Sequence, residues 1–149
     1  MKQLIECVPN ISEGNDTKKI NEIANIVETV DGVNLLNVDP GKATNRTVIT
    51  FVGEPKNVIE AAFLLIKKAK ELIDMSKHSG EHPRMGATDV CPLVPISNIY
   101  QWMRLQNMLE SWQKELVMNL KSLYIAMKMQ HLKMREKILP IADQANMKD

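Results

Sequence analysis

Four short apolar runs, separated by helical or polar segments, predict four β-strands in the N-terminal part of the chain. Each run is rich in β-branched or other apolar residues and is bounded by proline, glycine, asparagine or aspartate. The runs span residues 4–8, 33–38, 47–52 and 90–96. Pro9 and Asn10 are expected to end the first run. Pro92 and Pro95 interrupt the last one, so we expect it to lie at a sheet edge or to contain a bulge.

Two segments between these runs carry apolar residues at helical spacing and predict two amphipathic helices. The first helix follows Asn15 and Asp16, either of which can cap it, and ends at Asp31 and Gly32. The second begins at Pro55, because proline is well tolerated in the first turn of a helix. The predicted apolar faces are Ile20, Ile23, Ile26, Val27 and Val30 in the first helix, and Val58, Ile59, Ala62, Leu65, Ile66, Ala69, Leu72 and Ile73 in the second.

The predicted order of elements is βαββαβ, with two helices on one face of a small, mainly antiparallel sheet. This order is typical of an α+β fold of the ferredoxin-like sandwich type. A polar turn at residues 39–46 and a polar loop at residues 77–89 are candidates for a common edge of the sheet. The order of elements alone does not decide whether they meet.

The composition narrows the classes of function. The chain has 149 residues, of which 44% are hydrophobic and 25% charged, and this suits one soluble domain. A net charge of +1 argues against a dedicated nucleic-acid binder, and no apolar run approaches membrane-spanning length. The N-terminus lacks the apolar stretch of a signal peptide, and Cys7 and Cys91 form no C-x-x-C pair. We therefore expect a cytoplasmic protein with buried, reduced thiols.

The loop at residues 77–89 holds the densest group of chemically active side chains. Gly80 and Pro83 rule out a regular helix there. Such a loop either displays catalytic groups on a rigid scaffold or is a solvated connector, and its composition leaves both interpretations open. His78 and His82 have a spacing that suits a metal ion, but Gly80 keeps them off a helix face and no third ligand is evident. We predict no metal site.

Three motifs together resemble the N-terminal subdomain of glutamate formimidoyltransferase, the formiminotransferase part of formiminotransferase-cyclodeaminase. The motifs are E-C-V-P-N-I-S-E-G at residues 6–14, Asp39 with N-R-T-V at 45–48, and G-E-H-P-R-M-G-A at 80–87 with D-V-C-P at 89–92. Each motif alone is a weak signal. Their presence in register through residues 1–99 makes the resemblance specific.

The resemblance implies a transferase of histidine degradation that moves the formimino group of N-formimino-L-glutamate to N5 of its co-substrate tetrahydrofolate. The family's catalytic base falls on His82, and the family's active site lies in a cleft between this subdomain and a second one. Histidine suits that role, because N5 must lose a proton as it attacks the amidine carbon. The implied partners are small molecules, with no nucleic acid and no membrane.

The resemblance and the residue chemistry give six candidate site residues. Arg46 and Arg84 can form paired hydrogen bonds to a substrate carboxylate, or can instead pair with a neighbouring acid. Asp39 can orient or stabilise a protonated His82, or hold an N–H of the substrates. Asn10 can read the edge of the pterin, or can instead cap a turn. The predicted site is His82 and Asp39 for catalysis, with Asn10, Arg46, Arg84 and Glu81 for folate and substrate binding.

The last fifty residues differ in composition from the rest. All six glycines and six of seven prolines lie before residue 100, whereas both tryptophans and seven of ten methionines lie after it. The segment is rich in helix formers, but its apolar residues occupy too many faces for a packed helix. Read in a shifted frame, compatible codons encode an amphipathic helix, a strand and a polar loop that resemble the family's continuation. We predict an incomplete N-terminal subdomain at 1–99 and an out-of-frame, mostly helical and loosely packed tail at 100–149.

Three hypotheses for the function follow. The first is a formimidoyltransferase fragment, impaired or inactive alone unless a homo-oligomer or the missing C-terminal subdomain completes its site. The second is a non-catalytic module that binds folate or a partner through the loop of His82. The third is a helical interaction protein that uses the tail. Folate binding with turnover favours the first hypothesis, and self-association that is lost on truncation favours the third.

Overall fold

The computed structural model describes residues 4–81 and 86–96, which form two helices packed against one antiparallel sheet. The strands are β1 (Ile5–Cys7), β2 (Asn10–Ile11), β3 (Val33–Gly41), β4 (Arg46–Gly53), β5 (Thr88–Val90) and β6 (Leu93–Pro95). The helices are α1 (Thr17–Asn25) and α2 (Pro55–Leu72), and 3-10 turns span Ile26–Thr29 and Met75–Lys77. The predicted α+β class is confirmed. The predicted helical tail at 100–149 lies outside the described residues.

Strand β4 lies at the centre of the sheet. It pairs with β3 on one side and with both β1 and β2 on the other, and every pairing is antiparallel. Beyond them, β6 pairs with β1 and β5 pairs with β2. The first strand of the predicted order therefore corresponds to β1 and to β2, which lies beyond its predicted end, and the last corresponds to β5 and β6. The last strand lies at the edge of the sheet and is broken between Val90 and Leu93, as its prolines predict.

Two predicted boundaries are wrong, and a proline is involved in each. Pairing resumes after Pro9, because the Pro9 carbonyl accepts a hydrogen bond from Ile49 N (3.0 Å) and its missing N–H falls between β1 and β2. Strand β3 runs on to Gly41, so Asp39 and Pro40 belong to the strand and only residues 42–45 turn. Pro40 is tolerated because β3 pairs with β4 alone within the described part of the chain.

Helix α1 begins at a side-chain cap and is shorter than predicted. Asp16 Oδ1 accepts hydrogen bonds from the backbone N–H groups of Lys18 (3.1 Å) and Lys19 (3.2 Å). The bond from Lys19 N–H is the main reason that the pKa of Asp16 lies below its usual value. The α-helix ends at Asn25, and the predicted last turn is the 3-10 segment Ile26–Thr29.

The two faces of the sheet have different surroundings. Alternate residues of β4 are buried toward the helices, and the residues between them are partly exposed on the opposite face. Arg46 lies on this second face, which α1 and α2 leave open. The core between sheet and helices contains Ile5, Cys7, Ile49 and Phe51 from the strands, Ile23 and Ala24 from α1, and Val58, Ala62, Leu65, Ile66 and Ala69 from α2. None of the helices described is long and apolar enough to cross a membrane.

Candidate active site

Segments from the three sequence motifs meet at one end of the sheet. The first is the chain from β2 into α1, the second is the turn between β3 and β4, and the third flanks residues 82–85 on both sides. The Thr47 hydroxyl donates to the Glu13 carbonyl, which joins the first two segments. The Ser12 hydroxyl donates to the Gly86 carbonyl (2.7 Å), which joins the first to the third. The sequence left this convergence open, and the structure provides it.

Asn45 connects all three segments. Its side-chain Oδ1 accepts from Gly14 N (2.8 Å) and from Asn15 Nδ2 (2.9 Å). Its Nδ2 donates to the Ser79 carbonyl (3.0 Å) and lies 3.3 Å from Nδ1 of His78. The backbone φ of Asn45 is +49°, a left-handed conformation that asparagine adopts more readily than most residues. Asn45 therefore holds the segment that precedes residues 82–85.

Ser12 and Asp89 hold the segment that follows residues 82–85. Besides its hydroxyl bond to Gly86, Ser12 donates its backbone N–H to the Ala87 carbonyl (2.9 Å). Gly86 N in turn donates to Asp89 Oδ1 (3.3 Å). Ser12 and Asp89 are buried, which protects these bonds from water. The described segments on both sides of residues 82–85 are thus fixed to the scaffold.

Arg46 contacts one residue of the predicted site, Asn10, and one that was not predicted, Asp89. Its Nη2 donates to Asn10 Oδ1 (3.1 Å) and lies 3.6 Å from Asp89 Oδ2. The side chains of Arg46 and Asp89 are only 16% and 9% exposed, so each charge compensates the other where water is scarce. Arg46 Nε is buried without a hydrogen-bond partner among the described residues, which leaves a guanidinium donor for another group.

The structure brings together some of the predicted site residues. Asn10 and Arg46 are in direct contact. Asp39 is exposed on the edge strand β3, opposite Val48 in register, and Glu81 is exposed at the end of the described loop. His82 and Arg84 lie outside the described residues. No group of three or more potential metal ligands occurs in ranges 4–81 and 86–96.

Three residues of the network were missing from the predicted site, namely Ser12, Asn45 and Asp89. All three stand inside the quoted motifs, which was the signal available in the sequence. Their roles depend on hydrogen bonds between segments far apart along the chain, and local patterns do not report such bonds.

Replacing Asn45 with glycine is expected to destabilise the chain by about 1–3 kcal/mol, because it removes the bonds of Asn45 to the other two segments while still permitting positive φ. Asn45→Asp is the matched variant, since it keeps the acceptor for Gly14 and loses the donor to Ser79. Urea unfolding measures the loss, and amide exchange at residues 78–81 should quicken in both variants. Wild-type stability and exchange in Asn45→Gly would contradict this role.

Comparison with known proteins assigns the family. A family model described as the formiminotransferase domain, N-terminal subdomain, matches residues 4–135. The chain belongs to the formiminotransferase family. The resemblance seen in the three motifs is therefore confirmed, and the described parts of those motifs belong to the segments that converge at the end of the sheet.

Curated proteins match the N-terminal region of this chain. Formimidoyltransferase-cyclodeaminase from Mus musculus is 54% identical over 99 residues, and that from Dictyostelium discoideum is 56% identical over 99. Each alignment covers 66% of this chain and 18% of the relative. Glutamate formimidoyltransferase from Streptococcus pyogenes serotype M1 is 50% identical over 99 residues, which cover 33% of that protein. The chain thus aligns with between about a fifth and a third of these relatives.

Proposed function

We propose that this chain provides the N-terminal half of a site that transfers the formimino group of N-formimino-L-glutamate to N5 of tetrahydrofolate. The observation that carries the proposal is the convergence of the three motif segments, with Asn45 and Ser12 holding the two flanks of the His82 loop. The names of the relatives, glutamate formimidoyltransferase and formimidoyltransferase-cyclodeaminase, support the reaction.

In the proposed reaction N5 of tetrahydrofolate attacks the amidine carbon, and His82 accepts the proton that N5 loses. The bond from that carbon to the glutamate nitrogen then breaks, and the leaving nitrogen takes up a proton that the imidazolium can supply. Arg46 and Arg84 bind carboxylates of the substrates, and Asn10 contributes its amide. Asp39 stabilises the protonated imidazole of His82, and Glu81 contributes a further polar contact to the substrates.

The fold around this site and the groups that complete it are part of the same proposal. The antiparallel pairings of β3, β4, β1–β2 and β5–β6 support a ferredoxin-like sandwich. A second subdomain, or another copy of the chain, supplies the remaining substrate contacts in the cytoplasm. The small share of each relative that aligns with this chain supports this division of the site.

The segment after residue 99 forms a separate proposal. We infer that residues 100–149 are read out of frame, because the alignments with the curated relatives named above span 99 residues. The family match continues to residue 135, so sequence similarity alone does not decide the question. Sequencing the coding DNA does, and an uninterrupted frame whose codons are incompatible with the shifted reading would overturn the inference.

We expect the purified chain to show tetrahydrofolate binding but at least about a thousandfold less turnover than a full-length relative, because substrate positioning supplies much of an enzyme's rate. Calorimetry measures the binding, and release of glutamate measures the transfer. Weaker tetrahydrofolate binding in Arg46→Met supports the site. Comparison of the wild-type chain with His82→Asn shows whether any residual transfer depends on His82. Folate binding with no transfer in any assembled form favours the non-catalytic module, and turnover equal to that of a full-length relative contradicts the half-site.

A further inference from the structure

Cys7 and Cys91 lie side by side although 84 positions separate them in the sequence, with their Sγ atoms 3.5 Å apart. Cys7 is fully buried and Cys91 is 4% exposed. Both are free thiols, as the sequence predicts, but the lack of a C-x-x-C motif concealed their contact. A disulfide bond is about 2.05 Å long, so the sulfurs need to approach by roughly 1.5 Å to form one.

The two cysteines lie close in sequence to residues of the candidate active site. Cys7 ends β1, three residues before Asn10, and Cys91 lies between β5 and β6, two residues after Asp89. A backbone hydrogen bond from Val8 N to the Pro92 carbonyl (3.1 Å) holds these two stretches together. A covalent link between the sulfurs would therefore fasten the strand that leads to Asn10 to the strand that follows Asp89.

Cys91 is 4% exposed whereas Cys7 is fully buried, so Cys91 is the more accessible of the two sulfurs. It lies between β5 and β6, which have three residues each and stand at the ends of the strand order among the described residues. Burial, and then the hydrogen bond with Cys91, raises the pKa of the Cys7 thiol, so Cys7 stays protonated near neutral pH. A protonated thiol is a poor nucleophile toward peroxide, so Cys7 is not the first sulfur to react; its 3.5 Å distance from Cys91 Sγ places it to resolve an oxidised Cys91, losing its proton as it does so.

We propose that Cys7 and Cys91 are a peroxide-responsive site that forms a reversible intramolecular disulfide. The Cys91 thiolate attacks one peroxide oxygen, the O–O bond breaks, and the products are a sulfenic acid and, with hydrogen peroxide, one water. The proton that Cys91 released goes to the hydroxide formed when the O–O bond breaks. The Cys7 sulfur then attacks the Cys91 sulfur, the S–O bond breaks, and the sulfenic hydroxyl takes the Cys7 thiol proton and leaves as a second water. The sulfurs lose two electrons, and the peroxide gains them.

The disulfide should raise the melting temperature of the chain by roughly 10 °C, because it closes a long loop and restricts the unfolded chain. The test treats the intact chain with dilute hydrogen peroxide and compares melting before and after dithiothreitol. Dithiothreitol does not reduce methionine sulfoxide, so damage to the ten methionines cancels from the difference. A non-reducing peptide map should show the Cys7 and Cys91 peptides joined in monomeric chains.

Cys7→Ala and Cys91→Ala are the matched controls, and each should lose both the joined peptides and the reversible rise in melting temperature. If a variant fails to fold, the peptide map of the wild-type chain still shows whether Cys7 and Cys91 are joined. Repeating the reaction in urea should reduce the joined peptides in monomers at least severalfold, because the fold holds the sulfurs together. Two thiols that still titrate after the peroxide treatment would overturn the proposal. So would cross-links found only between chains, or an equal melting shift in a single-cysteine variant.

Discussion

Replacing Gly14 with alanine is expected to destabilise the chain by about 3 kcal/mol or more, which places it among the severe overpacking substitutions. A Cβ at this position would lie 2.5 Å from the Gly41 carbonyl oxygen, 2.6 Å from Arg46 N and 2.9 Å from Asn45 C. All three atoms belong to the backbone of the β3–β4 hairpin, so no side chain can rotate away. The hairpin must move, and the Asn45 and Arg46 contacts move with it.

Gly86→Ala is the matched control for Gly14→Ala. Among the described residues, the atom nearest to a Cβ on Gly86 would be the Thr88 carbonyl oxygen at 3.6 Å, which is ordinary van der Waals contact. We expect a fall in melting temperature of about 10 °C or more for Gly14→Ala and little change for Gly86→Ala, both measured by circular dichroism. Equal melting temperatures in the two variants would show that the close approach at Gly14 is not required.

Replacing Arg46 with methionine is expected to cost about 3 kcal/mol of stability and to weaken the binding of folate. The Asp89 side chain is buried, and the substitution removes the positive charge that lies 3.6 Å from its Oδ2. The variant also removes the donor to Asn10 Oδ1. Urea unfolding measures the first effect and titration with tetrahydrofolate the second.

A double-mutant cycle with Asp89→Asn separates the charge effect from the loss of packing. Asparagine keeps the Oδ1 acceptor for Gly86 N but carries no charge. The double variant Arg46→Met with Asp89→Asn should therefore be more stable than Arg46→Met alone, with a coupling energy of about 1–3 kcal/mol. Additive losses in the two single variants would mean that the 3.6 Å ion pair contributes nothing to stability.

The elements that the sequence predicts well are those whose signal is local. The apolar faces of α1 and α2 follow from helical spacing, and the buried alternation of β4 follows from its β-branched run. The strand ends predicted from Pro9 and Pro40 were wrong. Whether a missing N–H interrupts strand pairing depends on whether a neighbouring strand lies on that side. That neighbour is set by pairing between distant segments, which local composition does not encode.

The sequence motifs identified some residues of the site but not the contacts between them. Asn10 and Arg46 were identified from motif positions, and the structure places them in contact. Asp89 was quoted in a motif without a role, because its partner Arg46 comes from another strand. Asp39 lies on the exposed edge strand, so its proposed action on His82 depends on groups beyond the described residues.

The proposed half-site is tested most directly by transplanting it into a complete enzyme. The aligned 99-residue segment of the glutamate formimidoyltransferase from Streptococcus pyogenes serotype M1 would be replaced by the matching segment of this chain. We predict formimino transfer to tetrahydrofolate within about tenfold of the parent enzyme, and a loss of about 10²–10⁴-fold in kcat when His82→Asn is added with folate binding retained. A folded chimera that binds tetrahydrofolate but transfers nothing, or one whose turnover is unchanged by His82→Asn, would contradict the account.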